Sequence, residues 1–366
     1  MASITDVMPT ALARFSDQGV ESSLLPSHAP RRGIDHLVVW LIDGLGYDQV
    51  SQALAMGLMP RLQARLQRAP AHIEPLQTVN PSMTPVALAS LLTGSDPAAH
   101  GLLGQVLYYQ GTAVNVFHDD IPDALALATP TIAERAVRLG VHYQAVLEHR
   151  ILHGPLTGLL HRHTANLSTY IRDSGLAVVL NTCLAESPPG IIYLYSSGID
   201  AVNHRRGVYQ AEWQAEIQAI DRHLGDFAGP PGQASWLWIT ADHGHVPVIR
   251  ELAYQDLLQQ VSWLPPRPAE IGGAISVNVQ NMRELEHALD QMKVPIDVVP
   301  LSQYLKWGYF GHGDVAPFLS RVGSHLLVPS PGYSWSTKGA TQSLCWNHGG
   351  SQPAEMTVPW IELRIS

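Results

Sequence analysis

Residues 36–46 read HLVVWLIDGLG. After His36 come six apolar residues without a polar interruption, then Asp43 and a glycine-rich turn. The run does not alternate polar with apolar, so it does not fit a strand with one wet face. It fits a strand of a parallel sheet that is covered on both sides. Three further runs have the same texture: LAVVL (176–180), IIYLY (191–195) and WLWIT (236–240). Helical stretches lie between the runs, at about 47–68, 85–93, 131–139 and 209–227. Strands alternating with helices predict an α/β fold, a doubly wound and mostly parallel sheet with helices on both faces.

The texture changes after residue 245. WLPPRPAEIGG (263–273) is a Pro/Gly-rich break, followed by a strand-like AISVNV (274–279), a helical MRELEHALDQM (282–292) and a strand-like PIDVVP (295–300). The chain returns to core-like sequence near RVGSHLLVPS (321–330). The expected organisation is therefore a main core of residues 1–262 and 321–366, with residues 263–320 as a small inserted α+β subdomain.

With 366 residues and an apolar fraction of 46%, a large core is available. Charged residues make up only 14%, against roughly 25% in a typical globular chain, while histidine is plentiful at 18. That imbalance directs attention to metal ligands. The formal net charge is −9 and no basic stripe is present, which argues against a nucleic-acid polymer as partner. Two cysteines, Cys183 and Cys345, imply no disulfide framework. The N-terminal stretch lacks a basic region followed by an apolar one, and no apolar run is long enough for a membrane span. A soluble, cytoplasmic protein is expected; oligomeric state is left open.

Acids recur where the apolar runs stop. HLVVWLID ends on Asp43, IIYLYSSGID on Asp200 with His204 four residues on, and WLWITAD on Asp242 with His243 next. Ligands of open α/β sheets bind at the carboxyl ends of the strands, so these acids should converge on one edge. Converging carboxylates repel unless cations compensate. Asp and His together are good donors for zinc or a similar divalent ion, and a helix would put Asp200 and His204 on one face. CWNHGG adds His348. Taken singly, each acid reads as a helix cap and each histidine as core; DGLG does not complete a dinucleotide-binding GxGxxG. Their combination in four separate segments carries the metal reading.

A hydroxyl completes the set. In NPSMTPVALASLLTG (80–94), Pro85 suits the first helical position, which makes Thr84 the N-cap, and Gly94 the residue that ends the helix. Thr84 thus sits at the positive end of a helix, favourable to an anion. It reads equally as a cap alone or as a nucleophile, with Ser82 as the other candidate.

Together these motifs resemble the type I phosphodiesterase/nucleotide pyrophosphatase family of the alkaline phosphatase superfamily. The matching segments are LIDGLG, PSMTPVALASLLTGSDPAAHG, IDAVNHRRG, ITADHGH and NHGGSQPAEMTVP, from Asp43 to His348 and beyond. The resemblance implies two divalent metal ions, zinc foremost with manganese or iron as alternatives. One would take Asp200, His204 and His348; the other Asp43, Asp242, His243 and the nucleophile. The family nucleophile lies nine residues before the Thr of TG, which points to Thr84 rather than Ser82. The implied chemistry is a double in-line displacement through a phospho-threonine at a two-metal site.

Two positions depart from the pattern. An Asn that donates to the phosphoryl group in nucleotide pyrophosphatases is replaced by Gln105, 21 residues after Thr84, as the substrate-binding candidate. The residue after DHG is His245, expected to support the ligands or lie at the surface rather than to bind metal. His100, in DPAAHG, is expected to be structural. The expected substrate is a small phosphodiester or nucleotide, with pocket walls from 104–120, 150–170 and 265–320 and no membrane partner. Tyr108, Tyr109, Trp307 and Tyr309 read either as base-stacking groups or as core. Phosphomonoesterase or phosphomutase action at the same site is the alternative, and a metal- or nucleotide-binding protein without turnover is the third reading. The nucleophile segment lacks the Cys-x-Pro-x-Arg pattern of sulfatases.

Overall fold

The computed structural model describes residues 2–16, 25–68, 71–162, 164, 166–337 and 344–365; within the expected 150–170 pocket wall, residues 163 and 165 lie outside the described set. A seven-stranded sheet forms the centre. Its strands, in chain order, are β1 (His36–Ile42), β2 (His72–Gln77), β3 (His142–Glu148), β4 (Leu167–Tyr170), β5 (Gly190–Ser196), β6 (Ser235–Thr240) and β7 (Thr357–Arg364). Their order across the sheet is β2-β7-β6-β1-β5-β3-β4. All neighbouring pairs are parallel except those made by β7, which runs antiparallel to both β2 and β6. This is the mostly parallel α/β sheet that the apolar runs predict. Every residue of β1, β5 and β6 is buried, so helices must cover both faces, and the absence of polar alternation follows.

One run was read as the wrong element. LAVVL belongs to a helix, Leu176–Glu186, not a strand. Its buried residues are Leu176, Ala177, Leu180, Cys183 and Leu184, while Val178 is exposed. That spacing is helical over eleven residues and ambiguous over the first five. The stretch 47–68 is two helices, Tyr47–Ala55 and Pro60–Leu66, broken by the turn before Pro60.

A second, antiparallel sheet has six strands. Residues 263–320 supply Ala269–Ile271, Ala274–Val277 and Ile296–Pro300; Val106–Tyr109, Thr112–Asn115 and His325–Pro329 come from outside that segment. The helix Met282–Gln291 packs Leu285, Ala288 and Leu289 into a small core with Ile275, Val277 and Leu327. Among the described residues, no helix is long and apolar enough to cross a membrane. Both cysteines are free.

Candidate active site

The carboxyl ends of β1, β5 and β6 meet on one edge. Asp43 follows β1 directly, and Asp242 lies just past β6. Beyond β5 the chain enters the helix Gly198–Arg206, which carries Asp200 and His204 one turn apart on one face. Nε2 of His204 is 3.3 Å from Oδ1 of Asp200. His348 arrives on the loop after Trp346–Asn347, its Nε2 3.9 Å from the same oxygen.

Thr84 stands against this cluster, its Oγ1 3.1 Å from Nε2 of His243. That nitrogen is also 3.4 Å from Oδ1 of Asp43 and 3.4 Å from Oδ2 of Asp242. The helix Thr84–Thr93 begins one residue earlier than expected: Met83 is the N-cap, and Pro85 takes the second helical position. The Thr84 hydroxyl therefore makes no capping bond and is aimed at His243 instead. Ser82 is committed elsewhere. Its hydroxyl donates to the Gly350 carbonyl at 3.0 Å and accepts from the Gly349 N–H at 3.1 Å, while its carbonyl accepts from Nδ1 of His348 at 2.8 Å. Ser82 thus ties down the loop that carries His348. Ser90 pairs with the buried His100 at 2.8 Å and Thr93 donates to the Ala89 carbonyl, so these three serve packing.

The donor set suits divalent cations. Oδ1 of Asp43, Oδ1 of Asp200 and Oδ2 of Asp242 are buried and have no hydrogen-bond partner. Such oxygens are costly in a protein interior unless a cation meets them. Two donor groups form around Asp43 and Asp200, Asp43–Asp200–His243 and Asp200–His204–His245–His348, each with its ligand atoms within 4.8 Å of one another, and Asp242 adjoins the first through its 3.4 Å approach to His243. Burial, then the neighbouring carboxylates, pushes Asp43 well above the usual carboxylate range, and burial pushes Asp242 up to about 7. Asp200 goes the other way: His204 and His245 outweigh its burial and hold it well below that range. Burial, with His204 beside it, lowers His348 to about 3. It is neutral at physiological pH, the state that offers a lone pair to a metal.

Further residues reach the site besides the expected ligands. His245, expected as a supporting or surface residue, is buried with Nε2 3.1 Å from Oδ1 of Asp200. This is compatible with the supporting role and not with a surface one: the turn after Asp242 sets Nδ1 of His245 3.2 Å from the Gly44 carbonyl. Tyr195, the last tyrosine of IIYLY, donates its hydroxyl to Oδ2 of Asp43. Arg150 donates to Glu148 and Ser197. The strand-end position of Tyr195, shared with the acids, is the one clue that could have drawn attention to it.

Two cavities flank the cluster on its Thr84 and His204 sides, and a third, of about 270 Å³, reaches His348 from the side of Tyr309. One of about 510 Å³ opens on Thr84 and is lined by Leu88, Phe117, Arg150, Tyr193 and Tyr195 among others. The other, of about 460 Å³, opens on His204 and His348 and includes Gln105, Arg205, Glu251 and Glu270. Gln105 thus lines the cavity on the His204 and His348 side, not the one that opens on Thr84. Tyr108, Tyr109 and Trp307 line none of these three cavities, and Tyr309 lines the third. Tyr108 donates to the Ser276 carbonyl, Tyr309 to that of Gly349, and Trp307 is exposed.

The family model of type I phosphodiesterase / nucleotide pyrophosphatase matches residues 37–351. The chain belongs to this family. As a type I phosphodiesterase/nucleotide pyrophosphatase family member it is a hydrolase of phosphoric ester bonds. Solved structures share the fold. Phosphonoacetate hydrolase from Sinorhizobium meliloti 1021, in complex with phosphonoformate, is 21% identical, with 90% of each chain covered and a TM-score of 0.66. Murine ectonucleotide pyrophosphatase/phosphodiesterase 5 is 16% identical over 89% of this chain and 87% of that one, at 0.67. The human counterpart gives 15% and 0.68, with the same coverage.

Proposed function

We propose that this protein hydrolyses small phosphodiesters or nucleotide pyrophosphates, with Thr84 as nucleophile between two bound divalent cations. The observation that carries this reading is the convergence of three unpartnered, buried carboxylate oxygens on the side of Thr84. Asp200, His204 and His348 would hold one cation; Asp43, Asp242, His243 and the Thr84 hydroxyl the other. The mixed nitrogen and oxygen donors favour zinc, with manganese or iron also compatible. When bound, such ions lower the pKa of a coordinated hydroxyl and neutralise charge on the phosphoryl group.

The chain's own groups supply the rest. The first turn of the Thr84–Thr93 helix directs its positive end at the reacting oxygen. Oγ1 of Thr84 forms a bond to phosphorus as the bond to the leaving oxygen breaks. Water then attacks the phospho-threonine and restores the hydroxyl. Gln105 can donate its amide to a phosphoryl oxygen from the cavity wall. A murine relative of the same fold was solved in complex with AMP and another neighbour with phosphonoacetate, so a panel should include both chemistries.

Purified, metal-analysed protein should hydrolyse bis-p-nitrophenyl phosphate or p-nitrophenyl nucleotide esters when zinc or manganese is supplied. Thr84→Ala should lose turnover by at least ~10³-fold while still taking up both cations, the one beside Asp43 and Asp242 less tightly for want of the hydroxyl. Absence of diester hydrolysis by the metal-loaded wild type would overturn the proposal. Unchanged turnover in Thr84→Ala would remove Thr84 as nucleophile. Arg150, on the cavity beside Thr84, gives the monoesterase reading a specific basis. Relative kcat/KM on p-nitrophenyl phosphate and its diester decides between them.

A further inference from the structure

Four histidines meet at this site, and they share one arrangement. Each holds Nδ1 against a backbone carbonyl: His204 against Trp346 at 2.8 Å, His348 against Ser82 at 2.8 Å, His243 against Gly244 at 3.1 Å and His245 against Gly44 at 3.2 Å. An Nδ1–H donated in this way leaves the lone pair on Nε2, which is how metal-binding histidines are usually fixed. In all four, Nε2 faces the carboxylates.

We propose that His245 is a fourth protein ligand of the cation held by Asp200, His204 and His348. This rests on the two-cation reading above. Nε2 of His245 is 3.1 Å from Oδ1 of Asp200, yet both atoms are buried without a hydrogen-bond partner, so the approach is close but not aligned as a hydrogen bond. Two donors facing one ion meet in this way. The His245 ring is 5.0 Å from that of His204 and 5.3 Å from that of His348, centroid to centroid, and its donor atom lies in the same group as theirs. The backbone makes room for it. Gly44 has φ +75°, and a Cβ there would stand 2.5 Å from Cε1 of His245.

One other role for His245 is chemically open. The Asn203 amide nitrogen lies 3.3 Å from Nδ1. In the opposite tautomer, Nδ1 would accept from Asn203 and Nε2–H would donate to Asp200. His245 would then be a positioning residue. Four protein donors exceed the three usual at a catalytic metal, so the ligand role predicts an unusually tight site.

The test uses the Co²⁺-substituted protein. In the wild type, proton NMR should show four hyperfine-shifted, exchangeable imidazole N–H signals, because all four coordinated rings keep Nδ1–H on a carbonyl. Three signals would overturn the proposal while leaving the two-cation reading intact; wild-type protein that takes up no cation overturns that reading instead. His245→Ala and His245→Gln are then titrated with Co²⁺ and Zn²⁺. Both should lose one signal and weaken one of the two sites at least ~10-fold. Gln retains a donor for Asp200, so restoration of wild-type affinity by Gln alone would assign His245 the positioning role and overturn the ligand role.

Discussion

Thr84 owes its place to what it does not do. Its hydroxyl is freed from capping because Met83 takes that position, and His243 receives it instead. Tyr195 plays the corresponding part for Asp43. Burial, then the Asp43 charge, pushes its pKa well up, so it stays a donor to that carboxylate. Tyr195→Phe leaves Oδ2 of Asp43 buried without this partner. We expect metal affinity to fall ~10-fold, in the range typical of lost outer-sphere support, with kcat lowered at subsaturating metal. Isothermal titration with zinc is the measurement, and unchanged affinity would show the bond to be incidental. Legibility at this scale divides by chemistry. Asp43, Asp200, His204, Asp242, His243 and His348 stand out together: each alone reads as a cap or a core residue, but acids and histidines recurring at the ends of apolar runs in four segments do not. Tyr195 and Arg150 do not, since a tyrosine in an apolar run and an arginine after a strand are ordinary.

At the scale of elements, the helix Thr84–Thr93 is clamped at both ends. Pro85 opens it, and Gly94 closes it with φ +69°. A Cβ on Gly94 would lie 2.3 Å from Cγ of Pro9, in the helix Val7–Leu12. Gly94→Ala should therefore cost at least ~1–2 kcal/mol, from the left-handed backbone alone, with the clash added. Urea denaturation would read this as a lower midpoint; activity per folded molecule should persist, because Thr84 sits at the other end. Sequence periodicity located this helix because proline and glycine mark its ends. It failed on Leu176–Glu186, where five apolar residues fit a strand as well as a helix face. The short edge strand β4 was not anticipated either; its burial is partial and its composition mixed.

For the whole molecule, the carboxylate cluster couples pH to stability. With the side chains alone, Asp242 is raised to about 7 by burial, and Asp43 is raised further by burial and its acidic neighbours. Between the usual carboxylate pKa and about 7, the folded chain holds protons that the unfolded chain has released. Stability contributed by these groups is present at low pH and declines as pH rises through that window. Divalent cations bind the ionised forms, so their stabilisation grows over the same interval. The difference in Tm between zinc-loaded and chelator-treated protein should widen from pH 5 to pH 7. A gap independent of pH would show that Asp43 and Asp242 are not ligands. The mostly parallel sheet was foreseeable from β1, β5 and β6. The second sheet was less so, because it takes three strands from 263–320 and three from elsewhere, and no change of composition marks those partners.

The position of β7 has a consequence for how the chain reaches this state. It lies between β2 and β6, antiparallel to both, and among the described residues it is β2's only strand neighbour in the seven-stranded sheet. Until residues 357–364 arrive, β2 lacks its strand partner and keeps only the bridge from Gln77 to Ser3, and the fully buried β6 presents a bare edge. Such an edge is a template for pairing with another chain. The sheet cannot be completed in the order of synthesis: a segment from the first quarter of the sequence must wait for one from the end.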